Sequence, residues 1–432
     1  MTRNRKTTAV LAVAAIATGA LFAPATAEAA QPGPVRALTQ AAHPLRTTEP
    51  GRDTADLRAL GAMIGDAQVT GLGEATHGSH EFFAMKERLF RYLVEQKGFT
   101  TFALEVSWSA GLKIDEFVQT GTGDAHTVAK AALAGSPWDR EEFVHLIEWM
   151  RDHNRAHPAR PVHFLGDDLG APTLDDAFFG RVTGYVQRTH PESLARLNEL
   201  YTGLRPIDDV FAYVAKPLAE RQRLAAQAQE ALDLVQSFGD DWAAQNARSI
   251  AQTTKFLTID LTDPASVATS QRFRDEVMAQ NVVWWQRHTG AKILLSAHNG
   301  HVGYASGDPA RYPKTQGSFL RDTLGANYVA TGFTFDRGSF LSQDEAGTWQ
   351  KFTVGAAGPG SNEDTLDQVR YQDYYLDIRT APAAARAWLD VARPTYDIGT
   401  AFPVDPADIA LARSYDLLIH LHDVREAAMA RT

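Results

Sequence analysis

The sequence predicts an α/β fold, a mainly parallel sheet flanked by helices. Three observations carry that reading. Short apolar runs of strand type alternate with stretches of helical periodicity. Four of those runs are followed at once by carboxylates or imidazoles, the arrangement expected at the carboxyl edge of an open parallel sheet. The one long break in the alternation, about residues 190–265, is rich in Ala, Leu, Gln and Arg and reads as helices only, an insertion covering the active-site end. At 432 residues, 44% hydrophobic and 22% charged, the chain has ample material for a core.

The first 29 residues are set apart. Arg3, Arg5 and Lys6 precede an apolar stretch from Thr8 to Ala23, and Ala27-Glu28-Ala29 supplies a small-x-small cleavage pattern. This is the form of a secretory signal peptide, so a secreted protein beginning near Ala30 is expected. The apolar stretch falls short of the roughly 20 residues a spanning helix needs, so no stable membrane anchor is expected. The remainder, 30–432, reads as one catalytic domain.

The strand runs are Gln68–Leu72, Phe99–Leu104, Val162–Leu165, Ile293–Ser296, Tyr328–Thr334, Tyr375–Ile378 and Leu417–Leu421. Between the first two lies a helix that Gly78 or Ser79 starts, Glu81 suits in its first turn and Gly98 stops. Its apolar arc contains Phe82, Phe83, Leu89, Phe90, Leu93 and Val94, and Lys86 falls inside that arc. A lysine aimed at a core either snorkels out or meets a buried carboxylate, here Glu74 or Glu105; pairing is favoured. Tyr201, Phe211, Tyr213 and Trp242 are aromatic candidates of the helical segment, for pocket or core.

With 42 Lys and Arg against 52 Asp and Glu, the net charge is −10, and no nucleic acid partner is expected. The absence of cysteine excludes disulfides, Cys-ligated metals and thiol nucleophiles. His80-Glu81-Phe82-Phe83-Ala84 lacks the second histidine of a zinc-protease helix. Gly71-Leu72-Gly73 has Thr76 where a dinucleotide fingerprint needs glycine. No Gly-x-Ser-x-Gly elbow or phosphate-binding loop occurs.

The residues just past the strand ends therefore form the candidate site: Glu74 and His77 after the first, Glu105 after the second, Asp167 and Asp168 after the third, His298 and His301 after the fourth. Imidazoles and carboxylates meeting at one edge are the groups proton transfer requires. The two aspartates are also simple helix-cap candidates. His420 and His422 alternate in the last strand and read as structural, with His422 able to border the cleft.

Gly73-Glu-Ala-Thr-His-Gly-Ser-His-Glu-Phe-Phe83, then Lys86, then Phe102-Ala-Leu-Glu105, resembles the opening signature of the erythromycin esterase family. Trp138 with Glu141 and Glu142, Trp149-Met-Arg151, Asn154, Met278-Ala-Gln-Asn-Val282 and Ala297-His-Asn-Gly-His-Val302 are similar to later segments of that family, in order across the mature chain. The resemblance implies a hydrolase that opens an ester or lactone bond with neither a serine nucleophile, a required metal nor a cofactor. It implies His77 as the base that activates water, Glu74 and Glu105 as its carboxylates, and His298 and His301 as the paired histidines of the late loop. With Lys86, those histidines would stabilise the oxyanion or protonate the leaving oxygen. The default substrate is a small ester or a macrolide-like lactone, as in antibiotic resistance. Lys86 stands where antibiotic-hydrolysing members carry arginine, which keeps the charge and loses the bidentate fork.

Three alternatives stay open. Glu74, His77, His298 and His301 are also a chemically acceptable metal-ligand set for a metallohydrolase. The cleft could serve a secreted binding protein without turnover. The same base could activate an alcohol in a biosynthetic acyl or ring-closing reaction.

Overall fold

The computed structural model describes residues 33–169, 174–260 and 263–431. The proposed signal peptide lies outside them. All seven expected strands are present, with four more, of which Arg393–Thr395 and Ala407–Ile409 pair with each other in a separate two-stranded sheet. In chain order they are β1 (His43–Pro44), β2 (Val69–Leu72), β3 (Phe99–Ser107), β4 (His163–Asp168), β5 (Lys292–Ser296) and β6 (Tyr328–Gln343). Then come β7 (Trp349–Val354), β8 (Tyr374–Asp377), β9 (Arg393–Thr395), β10 (Ala407–Ile409) and β11 (Leu417–Val424).

The main sheet runs β1-β8-β11-β6-β2-β5-β3-β4, with β7 paired to β6 beside that path. Every pair from β11 to β4 is parallel, while β8, β1 and β7 join antiparallel. The fold is α/β, as predicted. β2 is buried along its whole length, as a central strand covered by helices on both faces must be. The helix after it spans His80–Lys97, starting after Ser79 and ending at Gly98.

Between residues 190 and 260 the elements are helices, with Leu218–Gln236 and Asp241–Phe256 the longest. They belong to the same compact unit as the sheet, which begins at Gly33. The second of these helices flanks the core through Asn246, whose Oδ1 accepts the Trp108 indole N–H at 3.0 Å. Of the aromatic candidates, Tyr201 and Tyr213 are core residues and Phe211 is exposed to solvent. Trp242 packs edge-on against Trp284 and Trp285.

Candidate active site

The carboxyl ends of β2 and β5 are tied to the middle of β6. Asn299, just past β5, donates its Nδ2 to Phe333 O at 2.8 Å and accepts Phe333 N at 3.0 Å, while its own N–H donates to Glu74 O at 3.0 Å. A Cβ on Gly73 would lie 2.1 Å from Asn299 Oδ1, so only glycine lets the two loops approach this closely. Glu74 and His77 are thus mounted on rigid strand ends.

Glu74 is wholly buried. Its Oε1 accepts from His77 Nδ1 at 2.6 Å, and its Oε2 accepts from the Lys86 ammonium. Lys86 also reaches Ala297 O at 3.4 Å and is itself fully enclosed. Burial alone would raise the Glu74 pKa, but the Lys86 charge and the His77 hydrogen bond outweigh it, so this carboxyl ionises below its ordinary range. Burial pulls the Lys86 pKa down, with Glu74 opposing. A carboxylate on Nδ1 fixes the imidazole tautomer: Nδ1 carries the proton, and Nε2 is left with its lone pair. The His77 ring lies against Trp138 (centroids 5.4 Å) and His298 (4.8 Å).

A second network adjoins this one. Glu105 Oε2 accepts the His298 backbone N–H at 2.9 Å, and Oε1 accepts from Arg274 Nη2 at 2.8 Å and His301 Nε2 at 3.3 Å. Arg274 also grips Asp168 in a bidentate fork, Nε to Oδ1 at 2.8 Å and Nη2 to Oδ2 at 2.6 Å. Asp275 Oδ1 accepts from His301 Nδ1 at 2.8 Å and from Gln316 N at 2.7 Å.

The charges sort these groups. Burial opposes ionisation of Glu105, yet His301 and the other nearby cations hold its pKa well below the ordinary value. Burial would discharge His301, yet the Asp275 and Glu105 carboxylates raise its pKa well above the usual imidazole value. His298 goes the other way, lowered chiefly by burial. Its Nδ1 accepts the Gly300 N–H at 3.2 Å and its Nε2 faces Ile398 O at 3.3 Å, the pattern of a neutral ring with the proton on Nε2. Burial and the neighbouring Asp168 push the Asp167 carboxyl well up.

All six predicted site residues therefore converge, in two groups: Glu74, His77 and Lys86 in one, Glu105 and His301 in the other, with His298 between them. Two positions differ from expectation. Lys86 makes the buried pairing with Glu74 that the sequence favours, but it is fully enclosed, so its difference from arginine bears on the charge of Glu74 and not on an oxyanion. His298 has both ring nitrogens engaged and caps the turn Asn299–Val302.

The alternative metal set is not assembled. Among the described residues the one group with donor atoms close enough together is Asp336, Asp367 and His422. There the Arg337 guanidinium already occupies Asp336 Oδ2 at 2.6 Å, which does not suit a cation.

Arg274 and Asp275 are the site residues that sequence reasoning misses. A signal exists: Arg274, Met278, Asn281 and Trp285 recur on one face of the helix Pro264–Thr289, and the last three are buried. A cavity of about 660 Å³ lies along this helix, lined by Gln245, Arg248, Asn281, Trp284 and Phe319 among others. None of the six predicted residues lines it. Its link to the site is polar: Gln245 donates to Asn281 at 2.9 Å, and Asn281 donates to Asp167 O at 2.8 Å.

The sequence model of the erythromycin esterase family matches residues 94–424. The chain belongs to that family. Erythromycin esterase type II of Escherichia coli is 24% identical over 325 residues, which cover 67% of this chain and 74% of that protein. The crystal structure of a succinoglycan biosynthesis protein superposes with a TM-score of 0.83 at 32% identity, covering 91% of this chain and 97% of that one. A protein from Bacillus cereus gives 0.84 at 28% identity, over 92% and 98%. An erythromycin esterase mutant in an open conformation shares the fold, with a TM-score of 0.70 at 16% identity over 89% and 98%. Membership of the erythromycin esterase family places the chain among hydrolases at the level of reaction class.

Proposed function

We propose that this erythromycin esterase family member opens an ester or lactone bond with water activated at His77, without a resident metal. The observation that carries the reading is the buried Lys86–Glu74–His77 relay, which holds His77 Nδ1–H on a carboxylate and leaves Nε2 as the base. Water gives its proton to Nε2 and its oxygen adds to the carbonyl carbon. The resulting oxyanion develops near the cationic side chains of Arg274 and His301, which supply stabilisation. The carbon–oxygen bond then breaks, and the leaving oxygen takes a proton from His301 or from His77. Glu105 aligns the second half of the site by holding the His298 backbone, His301 and Arg274 at once. A small ester or a macrolide-like lactone is the substrate class proposed, with the exported location expected from residues 1–29; a mature N terminus near Ala30 in secreted material tests the latter.

Incubating the wild type and His77→Ala with a panel of lactones and esters tests the chemistry by mass spectrometry. The wild type adds one water to at least one substrate and the variant adds none. Hydration by neither protein, or equally by both, refutes the proposal. Activity that disappears in chelator and returns with zinc refutes its metal-free part.

One observation favours a second reading. The solved relative at 32% identity over 91% of this chain is a biosynthesis protein. In that reading a substrate hydroxyl replaces water at His77 Nε2. An ester product formed when an alcohol acceptor is added to the same assay would select it.

A further inference from the structure

Residues 425–431 form a strap across the loop that carries His77. Chain ends are loose unless something ties them down, and here the ties fall on the residues that follow His77. Ala427 N donates to Gly78 O at 2.9 Å, Ser79 bridges Glu426 in antiparallel register, and His80 N donates to Arg425 O at 2.8 Å. The strap also holds the start of the helix Glu141–Ala156, just after Trp138, whose ring lies against His77. There Glu141 N donates to Ala428 O at 2.9 Å, and Arg431 N donates to Glu141 Oε1 at 2.6 Å. The base and the indole beside it are thus held in one frame.

His80 joins the parts of that frame. Its Nδ1 is 2.6 Å from Glu142 Oε1, and its Nε2 is 3.0 Å from Glu49 Oε1, which reaches in from the stretch between β1 and β2. A neutral imidazole has a single N–H, so a ring that donates to two carboxylates is the imidazolium. Both acceptor oxygens are shared with the strap. Glu142 Oε1 also accepts Ala428 N at 3.1 Å, and Glu49 Oε1 also accepts Arg425 Nη2 at 2.9 Å. Glu81 is the other charged group beside the ring, and its Oε2 accepts Arg425 N at 2.7 Å. Burial opposes charge on His80, but the hydrogen bonds to Glu142 and Glu49 outweigh it and the Arg425 charge, so the ring holds its proton to higher pH than an ordinary imidazole.

From this geometry we propose that His80 is a positioning residue for His77, a charged latch that fastens the strap 425–428 over residues 78–80. It touches no reacting atom. Losing its proton leaves Glu49 or Glu142 facing a ring nitrogen without a hydrogen, which loosens the strap and lets the His77 loop drift from Trp138. The latch deepens the hydrolase reading by making its site respond to pH, and it rests on that reading for the activity alone.

The test is hydrogen exchange of the C-terminal peptide, read by mass spectrometry from about pH 5 to about pH 9 and corrected for the intrinsic rate of free amides. Protection of 425–428 in the wild type should fall about tenfold or more as pH rises past the His80 pKa, the scale of one hydrogen bond to a charged group. His80→Gln cannot carry the charge. It should show the low protection throughout, and at neutral pH lower kcat about tenfold with KM little changed, because the base moves and not a substrate contact. His80→Lys keeps a charge and three donors, so protection and kcat should return without the pH step. Glu49→Gln leaves the ring one carboxylate and should move the step to lower pH; it is the deciding variant if H80Q does not fold. A wild type without the step, H80Q with wild-type protection or wild-type kcat, H80K as loose and slow as H80Q, or an unmoved step in E49Q overturns the latch. Failure of the hydrolase reading looks different: the step is present in the strap while no ester is hydrolysed.

Discussion

Replacing Glu74 by glutamine tests the relay at its centre. The side chain keeps its shape, but both carboxylate oxygens are in use, one by His77 Nδ1 and one by Lys86. An amide can accept on only one side. If its NH2 group faces His77, the imidazole proton is driven to Nε2 and the base is lost. If it faces Lys86, an N–H group opposes a buried ammonium. The first arrangement costs catalysis, about 10⁴-fold where the carboxylate orienting a catalytic histidine becomes an amide. The second costs stability, about 3–5 kcal/mol for a buried pair with one charge removed, a large part of a total of roughly 5–15 kcal/mol. Lys86 and Glu74 are both fully buried, so solvent does not soften either effect. Urea unfolding and kcat/KM read the two separately. In the double variant Glu74→Gln, Lys86→Met the unpaired charge is gone, so stability returns while activity does not. Activity within threefold of wild type in E74Q, or rescue of activity by the second substitution, would show that Glu74 does not orient the base.

Asp275→Asn removes a carboxylate that keeps His301 charged. Because the raised pKa keeps the imidazolium at higher pH, the alkaline limb of the kcat profile in wild type lies well above the ordinary histidine value, and D275N moves it down; an unmoved limb excludes His301 as the acid. Glu105 and Glu74 both have lowered folded-state pKa values, so their stabilisation is present above the ordinary carboxyl value of 4.5 and is lost as pH falls through the folded value. Melting temperature should therefore drop steeply on acidification below about 4.5, and Glu105→Gln should flatten that dependence. Asp167 has the opposite sign: its pKa is raised, so ionising it in the unfolded chain at neutral pH favours unfolding. Asp167→Asn should raise the melting temperature at pH 7, and a decrease would show that its charge is needed.

The parallel sheet is readable from the sequence because its strands are continuous apolar runs with polar punctuation, as burial on both faces demands. β7 is not, since Trp349-Gln-Lys-Phe-Thr-Val354 is half exposed and, among the described residues, pairs only with β6. The run beginning at Tyr328 reads as ending at Thr334, whereas β6 continues to Gln343. The polar Asp336-Arg337-Gly338 interrupts the apolar run; Gly338 has φ +132° and lies so close to Val424 that a Cβ would meet its O at 1.9 Å. It is a bend within a strand. The residues at the strand ends are legible as a site because topology brings those ends together, although Glu105 lies within β3, and Asp167 and Asp168 within β4, and not past them as the sequence suggests. Arg274 is legible only as a member of the buried face of its helix; nothing local names its partners, carboxylates 106 and 169 residues away.

His298 and His301 show how little the sequence spacing of two histidines says about their chemistry. They share one loop, three residues apart, and both are nearly enclosed. His301 meets two carboxylates, Asp275 on Nδ1 and Glu105 on Nε2, so the field outweighs desolvation and the ring stays charged. His298 meets a backbone N–H, a backbone carbonyl and, at 3.6 Å, only the edge of Asp397, so desolvation wins and the ring is neutral. The Asp275 carboxylate comes from a helix that lies between the insertion and β5 in the chain. Opposite protonation of neighbouring rings is what separate acid and structural duties require. It follows that exchanging the environments should matter more than exchanging the rings. In His298→Asn the amide can still accept the Gly300 N–H, so the loss should be smaller than for His301→Asn, which removes the charge itself. Equal losses in kcat for the two variants would contradict that division.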